Sequence, residues 1–151
     1  EEKMNREIKF RGFWKDIDGK LHYKIGNLNI VNNKEHTGCY ISNDYGSPFA
    51  YKVIPETIGQ YTGLKDKNGK EIYVGDICIG NDHIENDNEK FIIKYGKYKT
   101  DEWKDKYSCN TYQFGLYAEF IKTKSQVHLV SPNGIEVIGN IYESEVTNAK
   151  D

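Results

Sequence analysis

Residues Ile58 to Ile77 read IGQYTGLKDKNGKEIYVGDI, with Asn68-Gly69 at the centre and the alternating apolar residues Ile72 and Val74 just beyond. Asn-Gly supplies positive φ at little steric cost, so this run predicts an antiparallel hairpin closed by a tight two-residue turn. The same signal recurs on either side. Asp18-Gly19 separates Phe13 and Trp14 from Leu21 and Tyr23, and Asn133-Gly134 separates Val127 and Leu129 from Ile135 and Val137. The likeness of DIDGKLHY (Asp16 to Tyr23) to DKNGKEIY (Asp66 to Tyr73) follows from shared turn chemistry and does not require a repeat.

Working outward, β-branched and aromatic runs predict strands at Glu7 to Phe13, Leu28 to Val31, Glu71 to Ile79, Lys90 to Lys97, Tyr112 to Ile121 and Ile135 to Tyr142. Helical turns are expected at Pro55 to Gln60, with Pro55 in first position, and at Thr100 to Tyr107, with Thr100 as cap. The polar stretches Asn32 to Pro48 and Asn81 to Glu89 read as loops. The fold class is therefore mainly β.

The 151 residues suit one ordinary domain. Apolar residues make up only 37%, but twelve tyrosines and six phenylalanines add buriable surface, which argues against disorder. Against 23 acids stand 21 bases, a formal net charge of −2, so neither a strong polyanion binder nor an acidic mimic is expected and only local patches can serve. No apolar run approaches the roughly 18 residues that span a bilayer, and Glu1, Glu2, Lys3, Met4 lack the order of a signal peptide. A cytoplasmic protein with no membrane contact is expected. Cys39, Cys78 and Cys109 are odd in number and widely spaced, which predicts three free thiols.

Three blocks resemble the YopX family of phage and prophage proteins: REIKFRG (Arg6 to Gly12), the Ile58 to Ile77 run, and EVIGNIYE (Glu136 to Glu143). The resemblance implies a phage-encoded accessory protein of a bacterial host. It also implies a small antiparallel SH3-like barrel at 51–143, joined to N-terminal β strands at 5–50, within a single domain spanning 1–151. It carries no active site with it.

Chemical motifs are sparse. Gly63 to Glu71 fails as a phosphate loop, because the glycine spacing is one residue too long and Glu71 stands where a hydroxyl is needed. Neither that segment nor Asp82 to Glu89 has the glycine, the terminal glutamate and the flanking helices of a calcium loop. His36 with Cys39 and Cys78 with His83 sum to a zinc ligand set, but at spacings unlike a finger. No cofactor, metal or catalytic pair is assigned.

Lys90 to Tyr107 stands out. Six lysines (Lys90, Lys94, Lys97, Lys99, Lys104, Lys106) oppose Asp101, Glu102 and Asp105, interleaved with Phe91, Tyr95, Tyr98, Trp103 and Tyr107. Lysines neutralise phosphates and aromatic faces stack on bases, whereas the plain alternative is a solvated element whose aromatics fill the core. Alternate strand residues share a face, so Tyr95, Lys97 and Lys99 point one way and Lys94 and Tyr98 the other. Tyr95, Lys97, Lys99 and Trp103 are the candidate contact residues. The leading expectation is a non-catalytic module that binds a host or phage protein. Weak binding of single-stranded nucleic acid through 90–107 comes second, and an enzyme third.

Overall fold

The computed structural model describes residues 7–43, 50–80, 89–99, 112–129 and 134–143. The helical turn expected from Thr100, and Trp103, Cys109 and His83, lie outside the described residues, as does nearly all of the loop expected from Asn81. Asp16 and Asp66 govern the hairpin turns at Asp18-Gly19 and Asn68-Gly69. Asp16 O accepts from Gly19 N at 3.0 Å, Asp16 N donates to Lys20 O at 3.0 Å, and Asp16 Oδ1 accepts from the amides of Asp18 at 3.0 Å and Lys20 at 2.8 Å. Asp66 repeats every one of these bonds with Gly69, Lys70 and Asn68.

The turns are thus five-residue loops, Asp16 to Lys20 and Asp66 to Lys70, rather than the tight two-residue turns expected. Positive φ falls only on Gly19 (+78°) and Gly69 (+80°), whereas the mirror-image two-residue turn needs it at both central positions. The aspartate that opens each loop locks it as an Asx turn.

The chain forms two compact units, Glu1–Gly63 and Leu64–Asp151. In the first, β1 (Phe10–Lys15), β2 (Leu21–Asn32), β3 (Thr37–Ser42), β4 (Tyr51–Val53) and β5 (Gly59–Lys65) form an antiparallel sheet in the order β4-β3-β2-β1-β5. β3 corrects the loop expected over Asn32 to Pro48. It pairs with β2 from Asn27↔Ser42 to Asn32↔Thr37, and its Ile41 is fully buried, with its Cδ1 and Val53 both close against Gly12. The connecting turn is built by Asn33, whose Oδ1 accepts from the amides of Glu35 and His36 at 3.0 and 2.7 Å.

The helical turn at Pro55 is a single 3-10 turn, Pro55–Thr57, with proline at its start as expected. Thr57 fastens it: its hydroxyl donates to Ile54 O at 2.7 Å and accepts from Phe13 N at 2.9 Å.

β5 crosses the boundary between the units at Gly63, and the Asp66 to Lys70 loop carries it into β6 (Glu71–Tyr73). The strand expected from Glu71 to Ile79 is broken there. Asp76 Oδ2 accepts from Tyr73 N at 2.8 Å, closing a turn before β7 (Asp76–Ile79). β7, β8 (Phe91–Lys99), β9 (Tyr112–Phe120), β10 (Gln126–His128) and β11 (Glu136–Asn140) make the second antiparallel sheet, in the order β10-β9-β8-β7-β11.

Ile72, Cys78, Phe91, Ile93, Phe120, Ile135 and Val137 fill the core of this unit, each large side chain contributing about 1.5–3 kcal/mol by burial. Two buried carboxylates tie its elements together. Asp66 Oδ2 accepts from Val137 N at 3.0 Å, and Asp76 Oδ1 accepts from Asn140 Nδ2 at 3.4 Å. The protein is mainly β with two antiparallel sheets, and among the described residues neither closes into a barrel.

Candidate functional site

β8 and β9 pair in unbroken register from Phe91↔Phe120 to Lys99↔Tyr112. Strand alternation therefore puts Phe91, Ile93, Tyr95, Lys97 and Lys99 on one face with Phe120, Ala118, Leu116, Phe114 and Tyr112. At the Phe91 end this face is core. At the Lys99 end it is surface: Tyr95 is 58% exposed, Tyr112 59% and Phe114 72%.

The change falls at Gly96↔Gly115, two glycines opposite each other in the ladder with φ of +147° and +158°. A side chain would meet no atom at either place, so what glycine supplies there is the backbone angle that L residues rarely adopt.

Past those glycines the opposite face turns inward. Tyr98 is only 2% exposed, stacking on Tyr117 (4.9 Å, 17°) and on His128 of β10 (5.9 Å, 15°). Its hydroxyl donates to Gln113 Oε1 at 2.7 Å and meets His128 Nδ1.

Beside it Lys94 Nζ donates to Glu119 Oε1 at 2.7 Å, Gln126 Nε2 donates to Glu119 Oε2 at 3.0 Å, and Lys99 N donates to Gln126 Oε1 at 3.0 Å. Lys94 above all holds the Glu119 carboxyl below its usual range. The ribbon is thereby held bent, with its aromatic face outward.

On that outer face Tyr95 and Phe114 meet edge to face, 5.3 Å between centroids, and Lys97 Nζ sits 4.0 Å over the Tyr112 ring. No carboxylate occurs in Tyr95 to Lys99 or Tyr112 to Leu116. Of the candidate residues, Tyr95 and Lys97 lie here as expected. Lys99 shares the face but is half-buried, and Trp103 lies outside the described residues. Tyr112 and Phe114 join the site without having been singled out. Their alternation is visible in the sequence, but which residues they oppose depends on the register.

Cys78 and His22 are engaged in structure. Burial, then the charges of Asp76 and Asp66, push the Cys78 thiol up to about 12, so it stays protonated at neutral pH. Among the described residues no three His, Cys, Asp or Glu side chains come together as a metal site. In the first unit Trp14 stacks on His22 (5.1 Å) and meets Tyr51 at a tilt (4.7 Å), Lys24 lies 4.6 Å over Tyr51, and His22 Nε2 meets Asp16 Oδ2 at 2.7 Å. That His22 bond is the chief reason the Asp16 carboxyl is lowered. No helix of the described residues is long and apolar enough to cross a membrane.

No curated protein matches the chain. The family model described as YopX protein matches residues 9–146. Asp66 and Asp76 of the central block bond Val137 and Asn140 of the last, so the residues that carry the resemblance are joined in space. With nearly its whole length matched, the chain belongs to the YopX family.

Proposed function

We propose that the protein is a non-catalytic binding module that docks a protein partner on Tyr95, Lys97, Tyr112 and Phe114. Three aromatic rings, each more than half exposed on one face of a bent ribbon, carry this reading. Aromatic residues dominate the energetics of protein interfaces, and exposed clusters of them mark contact sites. The order β11-β7-β8-β9-β10, in which the last strand returns to pair with the first of a meander, supports an SH3-like barrel for the second unit. Family membership supports a phage or prophage accessory role, with a host or phage protein as partner in the bacterial cytoplasm.

Single-stranded nucleic acid is the second reading, favoured by Lys97 and Lys99 beside the rings. Two lysines supply a salt slope of only about −0.7 each on single strands, so such binding would be weak and indifferent to sequence. Immobilised protein and a Tyr95→Ala/Phe114→Ala variant, both exposed to an extract of infected host cells, separate the two. The expected result is one stoichiometric protein captured by the wild type and lost in the variant at unchanged Tm. Equal capture overturns the reading. So does salt-sensitive retention of oligo(dT), abolished by Lys97→Glu/Lys99→Glu, in the absence of any protein capture.

A further inference from the structure

The edges of the ribbon limit what can lie against it. Ile121 N donates to Lys90 O at 3.0 Å, so these two residues form a hydrogen-bonded pair of the antiparallel ladder. Such pairs alternate with pairs whose backbone groups point outward. In this register the outward-pointing residues of β8 are the odd-numbered ones, from Phe91 to Lys99. β7 covers the start of that edge through Ile77↔Ile92 and Cys78↔Phe91, and Gly75 N donates to Ile93 O at 2.9 Å. At the far end Lys99 N is taken by Gln126. Between them Tyr95 and Lys97 each present an N–H and a C=O with no partner among the described residues.

Resting on the binding face above, we propose that this edge receives an extended acidic segment of the partner as an added strand. An unpaired edge offers main-chain bonds to any extended chain, and the side chains on its face select which chain stays. Here those side chains are Lys97 and Lys99, with no carboxylate among Tyr95 to Lys99 or Tyr112 to Leu116 to neutralise them. A strand that carries acids on its Lys97 side is complementary in charge, and a lysine-bearing strand is repelled. Its chain also runs beside Tyr95, so backbone pairing and aromatic contact act on one segment.

The probe is a blocked six-residue peptide alternating Glu and Val, titrated into the isotopically labelled full chain and followed by NMR. The amide signals of Tyr95 and Lys97 are expected to shift first. In a strand added antiparallel to β8, the residues that bond β8 are those with side chains on the Lys97 face, here the glutamates. N-methylation of the Glu amides should therefore weaken binding at least about tenfold, while N-methylation of the Val amides, which face away, should leave it within about twofold.

Equal effects of the two methylations, or no shift at Tyr95 and Lys97 up to about 1 mM peptide, overturn the added strand. Shifts at those amides that grow with protein concentration alone, or with oligo(dT) in place of peptide, overturn it in favour of a second copy or a nucleic acid. Lys97→Pro, which removes one outward N–H, should weaken the peptide more than Lys97→Ala does. If partner capture still depends on Tyr95 and Phe114 while the methylated peptides bind alike, the binding face stands and only the strand is lost.

Discussion

Asp66 takes the amide protons of Asn68 and Lys70 on one oxygen and that of Val137 on the other. It closes its own loop and anchors a strand far along the chain. The glycine three places on has a narrower task. Nothing stands within 4 Å of a side chain at Gly69, so a substitution there meets only the cost of φ +80°. Gly69→Val should lower stability by about 1 kcal/mol, read as a drop in Tm, and an unchanged Tm would remove the backbone argument. The Asn-Gly and Asp-Gly pairs announced these turns in the sequence because their chemistry is local. Their length was not legible, because it depends on the aspartate two places ahead of Asp18 and of Asn68, whose side chain reads as solvated until its amide partners are seen.

At the scale of elements, periodicity found β8, β9 and β11 within a residue or two at most ends. It missed β3, because TGCYIS sits among Asn, Ser and Gly and only its burial against β2 explains the pairing. Half of the aromatic face was legible. Alternation alone puts Tyr95, Lys97 and Lys99 on one side, but Tyr112 and Phe114 come from a strand whose register no local signal sets.

Nor does alternation foresee that Phe91 and Ile93 are core while Tyr95 on the same face is not. Gly96 and Gly115 make that difference. Gly96→Ala cannot hold φ +147°, so it should straighten the ribbon, separate Tyr98 from Tyr117 and His128, and cost about 1–3 kcal/mol. Loss of the contacts from the Tyr98 ring to His128 in NMR spectra is the expected sign; contacts retained at full Tm would show that the bend is set elsewhere.

For the molecule as a whole, acid is the condition that tests its frame. Burial, the largest single influence on Asp66, raises its carboxyl, but the amides of Val137, Lys70 and Asn68 together with the Lys70 charge bring it below the ordinary value. Asp16 and Glu119 are lowered as well. Carboxyls lowered in the folded state add stability above their unfolded value, about 3.9 for Asp and 4.3 for Glu, and lose it as pH falls through the folded one. Tm should hold level from neutral pH down to about 5 and drop below about 4, and Asp66→Asn should lower the plateau and shrink the drop. An identical acid limb in wild type and variant would count against Asp66 as its source.

The partners of Asp66 and Asp76 lie 71 and 64 residues later in the chain. While the polypeptide is being synthesised, both carboxylates emerge long before Val137 and Asn140 exist to meet them. The second unit therefore cannot close its sheet until β11 has been made. Until β11 arrives to make this long-range closure, the edge of β7 that it covers stays unpaired and open to whatever else is in the cell.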